Sequence, residues 1–192
     1  MEEEKHLGGY VPGGDVWTWF PNLWTWFVKK FKIRSVLDLG CGEGHSTKFF
    51  YGLGCDVLGI EGSRQAIINS AIPDKIIRHD FCNGPYIPEK IYDLIWCCEF
   101  VEHVEEKYLF NFLKTFESCK YLMITHATLG QGGYHHVNEQ SVVYWLKYIE
   151  DAGFELLPKI TLLAREKAAN YFFLRSGLVF INKKRFPDYT GS

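Results

Sequence analysis

The stretch that decides the fold is Val36-Leu-Asp-Leu-Gly-Cys-Gly-Glu-Gly44. Together with Ser35, its first residues form a short apolar run that predicts a buried strand over residues 35–39. Glycines then stand at every second position, and a helical stretch begins at His45. Glycine permits a sharp turn and a close approach of the backbone to a ligand. The stretch therefore predicts a strand, a tight ligand-binding turn and a helix.

Strands and helices alternate on both sides of this stretch. Further strands are predicted over residues 56–60, 75–78, 92–98, 120–125, 154–157 and 177–182. Helices are predicted from Pro21 to Phe31 and over residues 45–51, 64–70, 105–118, 139–152 and 159–173. This alternation is typical of an α/β, Rossmann-like, doubly wound sheet with helices on both faces. Such sheets bind ligands at the carboxyl ends of their strands.

Acidic residues stand at the ends of the first three predicted strands. Asp38 precedes the glycine turn, where it would repel a pyrophosphate and attract a cationic sulfonium and amino group. Glu61 follows the glycines by about 20 residues, the position of a carboxylate that binds ribose hydroxyls. Asp80 can accept from an adenine amino group while Phe81 packs on the ring, although a helix cap is the alternative role for Asp80. A nicotinamide-binding turn would have its third glycine where this chain has His45, which disfavours a dehydrogenase.

In this order, residues 36–44, Glu61, Asp80 and the segment 92–104 resemble the motifs of class I S-adenosylmethionine (SAM)-dependent methyltransferases. The resemblance implies a seven-stranded sheet that is mostly parallel, with an antiparallel last strand. It also implies a SAM site. The residues assigned to that site are Asp38, Gly40, Cys41, Gly42, Glu61, Gly62, Asp80, Phe81 and Glu99.

A second group of polar residues follows the fourth and fifth predicted strands. If residues 99–103 turn helically, Glu99, Glu102 and His103 share one face, since they stand at i, i+3 and i+4. His135 or His136, in a glycine-rich loop, can supply a fourth ligand, and we assign it to His136. Carboxylates and imidazoles are ligands for a divalent metal such as Mg²⁺ or Mn²⁺.

The Glu-x-x-Glu-His segment with a distal histidine resembles the magnesium site of small-RNA 2′-O-methyltransferases. It is also similar to a segment of the O-methyltransferases of ubiquinone synthesis. Many small-molecule methyltransferases carry such a segment without known use of a metal, so a capping or packing role stays open. Without a metal, His135 or His136 is the first candidate general base, and His103 is the second.

Length and composition limit the number of domains, the kind of partner and the cellular location that we expect. The 192 residues suit a single domain, 1–192, in which an N-terminal arm and helix (1–34) cover the site. The net charge of −2 makes a nucleic-acid partner less favoured. No apolar run reaches the ~20 residues of a membrane span. The six cysteines form no Cys-x-x-Cys pair, which favours reduced thiols and a cytoplasmic protein, in the host cytoplasm if the source is viral.

Residues 135–153 resemble a group of bacterial and viral methyltransferases, several of which accompany glycosyltransferases. The resemblance implies methyl transfer to a sugar hydroxyl, with a small-molecule or glycan substrate, in one domain of a larger glycan-modifying protein. The alternative acceptors are an RNA 2′-hydroxyl, a phenolic or quinone precursor, and an amine. A further alternative is a SAM-binding subunit without catalysis. A nucleobase N-methyltransferase is disfavoured because residues 97–100 contain no proline. The acceptor's identity and the oligomeric state stay open.

Overall fold

The computed structural model describes residues 6–190. Within these residues, seven strands form one sheet: β1 (Ser35–Leu39), β2 (Asp56–Glu61), β3 (Ile76–Arg78), β4 (Tyr92–Cys97), β5 (Cys119–Ile124), β6 (Phe154–Leu156) and β7 (Leu178–Asn182). Seven α-helices of the same described range accompany them: α1 (Pro21–Phe31), α2 (His45–Gly52), α3 (Arg64–Ile68), α4 (Leu109–Phe116), α5 (Val142–Asp151), α6 (Pro158–Ala168) and α7 (Tyr171–Ser176). The predicted α/β class is confirmed.

The strand order is β3-β2-β1-β4-β5-β7-β6. The pairs from β3 to β5 are parallel, whereas β7 runs antiparallel to both β5 and β6. The order therefore reverses between β1 and β4, where doubly wound sheets place their ligand crevice. Asp38 lies at this reversal, in register with Gly59 on one side and Trp96 on the other. The sequence-based prediction of an antiparallel last strand is confirmed.

Helices cover both faces of the sheet, and the surplus of aromatic residues fills the space between. One face packs against α4 and α5 through Phe112 and Trp145, both of which are fully buried. The other packs against α1, α6 and α7, where the ring of Trp24 lies 5.5 Å from that of Trp96. The face of α1 that packs on the sheet buries Leu23, Trp24 and Phe27. Much of the aromatic content is therefore core.

Three helix boundaries differ from the prediction. The segment 105–118 becomes α-helical only at Leu109, after a short 3₁₀ turn. The side chain of Ser141 caps α5 by accepting from the amide of Tyr144, so this helix begins after residue 139. The long helix predicted over residues 159–173 is two helices, because Ala169 takes a left-handed conformation with φ of 49°. The second of these, α7, turns towards the carboxyl edge of the sheet.

The six cysteines are all free thiols. Within residues 6–190, none of the helices has both the length and the apolar character needed to cross a lipid bilayer.

Candidate functional site

A cavity of about 820 Å³ opens at the carboxyl ends of the strands around the β1–β4 reversal. This volume is within the range of small-molecule and cofactor sites. Its wall combines the glycine turn after β1, the ends of β2 and β4, the loop after β5, α7 and the N-terminal arm. Among the described residues, seven carboxylates line it: Asp15, Asp38, Glu43, Glu61, Asp80, Glu99 and Glu105. The wall is therefore strongly acidic.

Asp38 lies at the bottom of the cavity and is only 2% exposed. Its Oδ2 accepts hydrogen bonds from the hydroxyls of Ser46, at 2.6 Å, and Thr47, at 2.7 Å. These residues belong to the first turn of α2, so the helix fixes the orientation of the carboxylate. Burial raises the pKa of Asp38 to about 6, which the two hydroxyls partly counter. A cationic ligand would restore the charged form.

The turn after β1 leaves its backbone open to the cavity. Gly40 and Gly42 have φ of 67° and 55°, a left-handed conformation that favours glycine. A Cβ on Gly40 would lie 2.5 Å from the ring of Phe100, whereas one on Gly42 would meet no atom within 4 Å. Gly42 therefore faces open space where a ligand can approach the main chain. Cys41 lines the same turn, and burial raises its thiol pKa well above the usual value.

Glu61 ties the end of β2 to this turn. Its Oε2 accepts from the amide of Gly42 at 2.8 Å, and its Oε1 accepts from the amide of Ser63 at 2.7 Å. Burial raises its pKa, although these amide hydrogen bonds oppose the shift. The carboxylate is thereby held rigidly at the cavity wall. Gly62 beside it lies under Leu7 of the N-terminal arm, since a Cβ there would be 2.7 Å from that side chain.

Asp80 and Phe81 lie at the next corner of the cavity. Oδ1 of Asp80 accepts from the amide of Cys82 at 2.8 Å and caps a short 3₁₀ turn. Its Oδ2 lies 2.8 Å from Nε2 of His6. Phe81 is buried, with its ring 5.5 Å from that of Phe100. Both roles considered for Asp80, the cap and a place in a ligand cavity, are therefore present together.

The N-terminal arm, residues 6–19, lies across the cavity, and most of its residues line it. Oε1 of Glu43 accepts from the hydroxyl of Tyr10 at 2.7 Å and from the amide of Gly13 at 3.0 Å. Trp19 lines the cavity, whereas Trp17 does not. Helix α1 packs on the sheet, so within the predicted covering segment 1–34 it is mainly the arm that closes the site. Residues 1–5 lie outside the described residues.

Three predicted metal ligands come together beside the cavity. Ligand atoms of Glu102, His103 and His136 all lie within 4.8 Å of one another. Nδ1 of His103 donates to the carbonyl of His135 at 3.1 Å, and Nδ1 of His136 lies 3.0 Å from Oε1 of Glu139. Each imidazole therefore keeps Nε2 for a ligand, the arrangement usual for metal-binding histidines.

The carboxyl group of Glu102, a member of this cluster, lies beside that of Glu99. Glu102 is fully buried, and its Oε1 accepts from the amide of Ala127 at 3.1 Å. Its Oε2, and Oε1 of Glu99, have no N–H or O–H donor among the described residues. Burial, together with the charge of Glu99, raises the pKa of Glu102 well above its usual range. Burying an unpartnered carboxylate oxygen costs free energy, and so does placing two carboxylates side by side. A cation would lower both costs, so this donor set fits a divalent metal.

Glu99 differs from the prediction in its local geometry. It has a left-handed φ of 48°, and the 3₁₀ turn that carries Glu102 and His103 begins only at Val101. Glu99 therefore does not share a helical face with these two residues, and it is outside the three-residue ligand cluster. Its side chain lines the cavity beside the cluster.

His135 and His136 point in different directions. His135 takes a left-handed φ of 59° and lies against Gly8. A Cβ added to Gly8 would be only 2.0 Å from the Cβ of His135. It is not among the residues that line the cavity, whereas His136 is. His135 contributes its carbonyl, which orients His103. Tyr10, Glu43 and Glu139 could not be identified from the sequence, because their roles depend on contacts between distant segments.

Comparison with known proteins agrees with this geometry. Residues 37–119 match the family model described as a methyltransferase domain. No match was found among the curated proteins. A SAM-dependent methyltransferase from Clostridium acetobutylicum superposes with a TM-score of 0.67 at 10% identity, covering 88% of this chain and 93% of that one.

Two further solved structures have the same architecture. A TehB-like SAM-dependent methyltransferase from Corynebacterium glutamicum has a TM-score of 0.62 at 20% identity, with 90% of this chain and 91% of that chain covered. The plantazolicin methyltransferase BpumL, solved with SAH, has a TM-score of 0.62 at 16% identity, with 89% and 87% covered. These likenesses establish the fold. The chain therefore has the fold of SAM-dependent methyltransferases, and its residues 37–119 match a methyltransferase domain.

Proposed function

We propose that the protein is an O-methyltransferase that methylates a sugar hydroxyl with the help of a divalent ion, Mg²⁺ or Mn²⁺. The observation that carries the proposal is the cluster of Glu102, His103 and His136 within 4.8 Å, beside the cavity that holds Asp38. A hydroxyl is a weak acid, and a neutral imidazole alone is a poor base for it. A metal site next to a methyl-donor site suits this acceptor best.

The cofactor would be held by side chains that are already oriented. Asp38 would face the cationic part of SAM, Glu61 the ribose hydroxyls, and Asp80 with Phe81 the adenine. Cys41, Gly42 and the arm would exclude water from it. Bound SAM supplies a methyl group already activated by its sulfonium, so the chain's task is alignment and deprotonation of the acceptor.

The metal cluster would serve that deprotonation. Glu102, His103 and His136 would hold the ion, with Glu99 beside them to balance its charge. A bound divalent ion lowers the pKa of a coordinated hydroxyl. If no metal binds, the free Nε2 of His136 is the best-placed base, because Nδ1 of that ring is engaged by Glu139 and the ring lines the cavity. His103 is then the second candidate.

Aromatic side chains support a sugar as the acceptor. Trp19, Tyr134 and Tyr171 line the cavity and are 43%, 79% and 55% exposed. Flat, amphipathic rings of this kind offer an apolar face and a polar edge, both of which a sugar can use. The seven carboxylates of the wall disfavour a nucleic acid, whose phosphates they would repel. The resemblance of residues 135–153 to glycan-associated methyltransferases also favours a sugar acceptor. We propose, in addition, that the chain is one domain of a larger glycan-modifying protein.

Free cysteines support a cytoplasmic location. Four of them are buried, and none forms a disulfide. Unpaired thiols are typical of a reducing compartment.

The test is methyl transfer from SAM to a panel of rhamnosides and related glycosides, followed by mass spectrometry. We expect a product about 14 Da heavier that disappears with EDTA and returns with Mg²⁺ or Mn²⁺. Product formation that does not change with EDTA would support the sugar acceptor but not the metal, and it would assign the base role to His136. Transfer to an RNA 2′-hydroxyl or a small phenol instead would overturn the sugar acceptor. SAM binding without transfer to any of these would favour a non-catalytic subunit.

A further inference from the structure

One guanidinium faces the acidic cavity. Among the described residues that line it, Arg175 of α7 is the only arginine or lysine. The seven carboxylates of the same wall suit a cationic cofactor. An isolated arginine in such a wall requires a different explanation.

Arg175 is held in place by neutral groups. Its NH1 donates to the hydroxyl of Tyr171 at 2.7 Å, and its NH2 donates to the hydroxyl of Thr128. Its Cζ also lies 5.6 Å from the centre of the Tyr171 ring. No carboxylate pairs with it within residues 6–190. Arginine has five N–H donors, so its charge and several donors remain for a ligand.

The position of Arg175 separates it from the predicted methionine-binding end. Thr128 follows β5, and α7 leads into β7, whereas Asp38 lies on β1. Strand β5 is two places from β1 in the sheet, about 10 Å at the usual strand spacing. Thr128 belongs to the same loop as His136. Arg175 is therefore on the side of the cavity where the acceptor would bind.

We propose that Arg175 binds an oxyanion on the acceptor, so that the substrate is an acidic sugar bearing a carboxylate or a phosphate ester. The inference rests on the proposed function, which supplies the sugar hydroxyl. The planar guanidinium matches either oxyanion with two parallel hydrogen bonds. Tyr171 would flank the sugar and fix the direction of the guanidinium. Arg175 would thereby determine specificity without taking part in methyl transfer.

The first test measures binding and needs no turnover. The protein is saturated with SAH and titrated with D-glucuronate, D-glucose 1-phosphate and D-glucose by calorimetry. We expect one of the two anionic sugars to bind about tenfold more tightly than glucose. Which of them does so distinguishes a carboxylate from a phosphate ester. Equal binding of all three sugars, or of none, overturns the inference.

Variants assign the effect to the side chain. Arg175→Met is expected to reduce binding of the anionic sugar to the level of glucose, and Arg175→Lys to retain part of it. Arg34→Met is the control, because Arg34 is an exposed arginine at the opposite edge of the sheet. Affinity for SAH should be unchanged in all three variants. A loss of SAH affinity in Arg175→Met would mean that the guanidinium holds the cofactor's carboxylate, and it would overturn the inference.

The proposed function can be contradicted independently of the proposed anion site. If the anionic sugar binds in an Arg175-dependent manner but no sugar hydroxyl is methylated in the glycoside assay, the anion site stands and the reaction proposed above is wrong.

Discussion

The hydroxyl of Tyr10 donates a 2.7 Å hydrogen bond to Oε1 of Glu43 and fastens the N-terminal arm to the turn after β1. The side-chain Nδ2 of Asn69 donates to the same hydroxyl oxygen at 2.8 Å, so these two hydrogen bonds join three segments of the chain. The arm lies over the predicted cofactor positions. The hydrogen bond between Tyr10 and Glu43, which we call the latch, should therefore control the rate at which the cofactor dissociates.

Tyr10→Phe removes the latch but keeps the ring. We expect SAH to dissociate about 3–10 times faster, since a hydrogen bond of this kind contributes about 1 kcal/mol. Stopped-flow fluorescence, with the nearby Trp19 as the reporter, measures this rate. Tyr51→Phe, an exposed tyrosine on α2, is the control. An unchanged dissociation rate would show that the arm is not retained by this bond.

Glu61→Ala should weaken SAM binding by about 1–3 kcal/mol, because the ribose hydroxyls lose a charged acceptor and the amide of Gly42 loses its partner. Calorimetry measures the affinity, and a thermal melt confirms that the variant folds. Asp56→Ala is the matched control, because Asp56 begins the same strand at its other end and pairs there with Lys90. Equal affinity in wild type and Glu61→Ala would remove Glu61 from the site.

The affinity for SAM should fall in mild acid. The pKa of Asp38, raised by burial to about 6, means that its carboxyl is mostly protonated below that pH in the free protein. A cationic ligand prefers the carboxylate. Affinity should thus be complete above pH 6 and fall by up to about tenfold per pH unit below it.

The same titration with Asp38→Asn separates this effect from that of nearby histidines. The variant should bind SAM weakly at every pH and should lose the part of the acid dependence due to Asp38. A pH profile identical in shape to that of the wild type would assign the dependence to another group.

Glu102→Gln tests the metal site directly. The amide keeps the hydrogen bond from Ala127 but lacks the charge, so Mn²⁺ binding and methyl transfer should be lost while SAM affinity stays nearly intact. Because burial already favours the uncharged form of Glu102, the melting temperature should stay nearly unchanged. Electron paramagnetic resonance follows the Mn²⁺. The control is Glu105→Gln, which changes a more exposed cavity carboxylate. A loss of SAM binding would instead place Glu102 in the cofactor pocket or the core.

Glu139→Gln tests the partner of a proposed ligand. Oε1 of Glu139 lies 3.0 Å from Nδ1 of His136, and the same carboxylate accepts from the amides of Gly130 and Gly132. Groups that orient metal-binding histidines contribute about 10–100-fold to metal affinity. We expect Mn²⁺ affinity to fall by a factor in that range. Unchanged affinity would mean that His136 is not a ligand.

The strand pattern and the acidic strand ends could be predicted because they are local properties of the sequence. Residues 36–44 define a strand and a turn by their own composition, and Asp38, Glu61 and Asp80 line one cavity because parallel strands end at one edge. The antiparallel last strand came from the family resemblance. The break at Ala169 was missed, since no glycine or proline marks it.

His135 and His136 show what could not be predicted from the local sequence. Which imidazole reaches the cavity depends on the left-handed backbone at His135, where Gly8 of the arm packs closely against the residue. Residues 8 and 135 are distant in sequence, and their contact leaves no periodic pattern. The contacts of Tyr10 and Arg175 were missed for the same reason. Long-range contacts of the arm and of α7 complete a site whose centre could be predicted.

The acidic wall of the cavity has a consequence for turnover. The cofactor arrives with a positive sulfur and leaves with a neutral one, so each cycle removes one positive charge from among seven carboxylates. A single such attraction is worth about 1 kcal/mol in water at 4 Å and more where water is excluded. The electrostatic contribution to binding is therefore smaller for the spent cofactor than for the fresh one. The carboxylates that attract the reagent thus offer no such attraction to its by-product, which favours release of the by-product after each cycle.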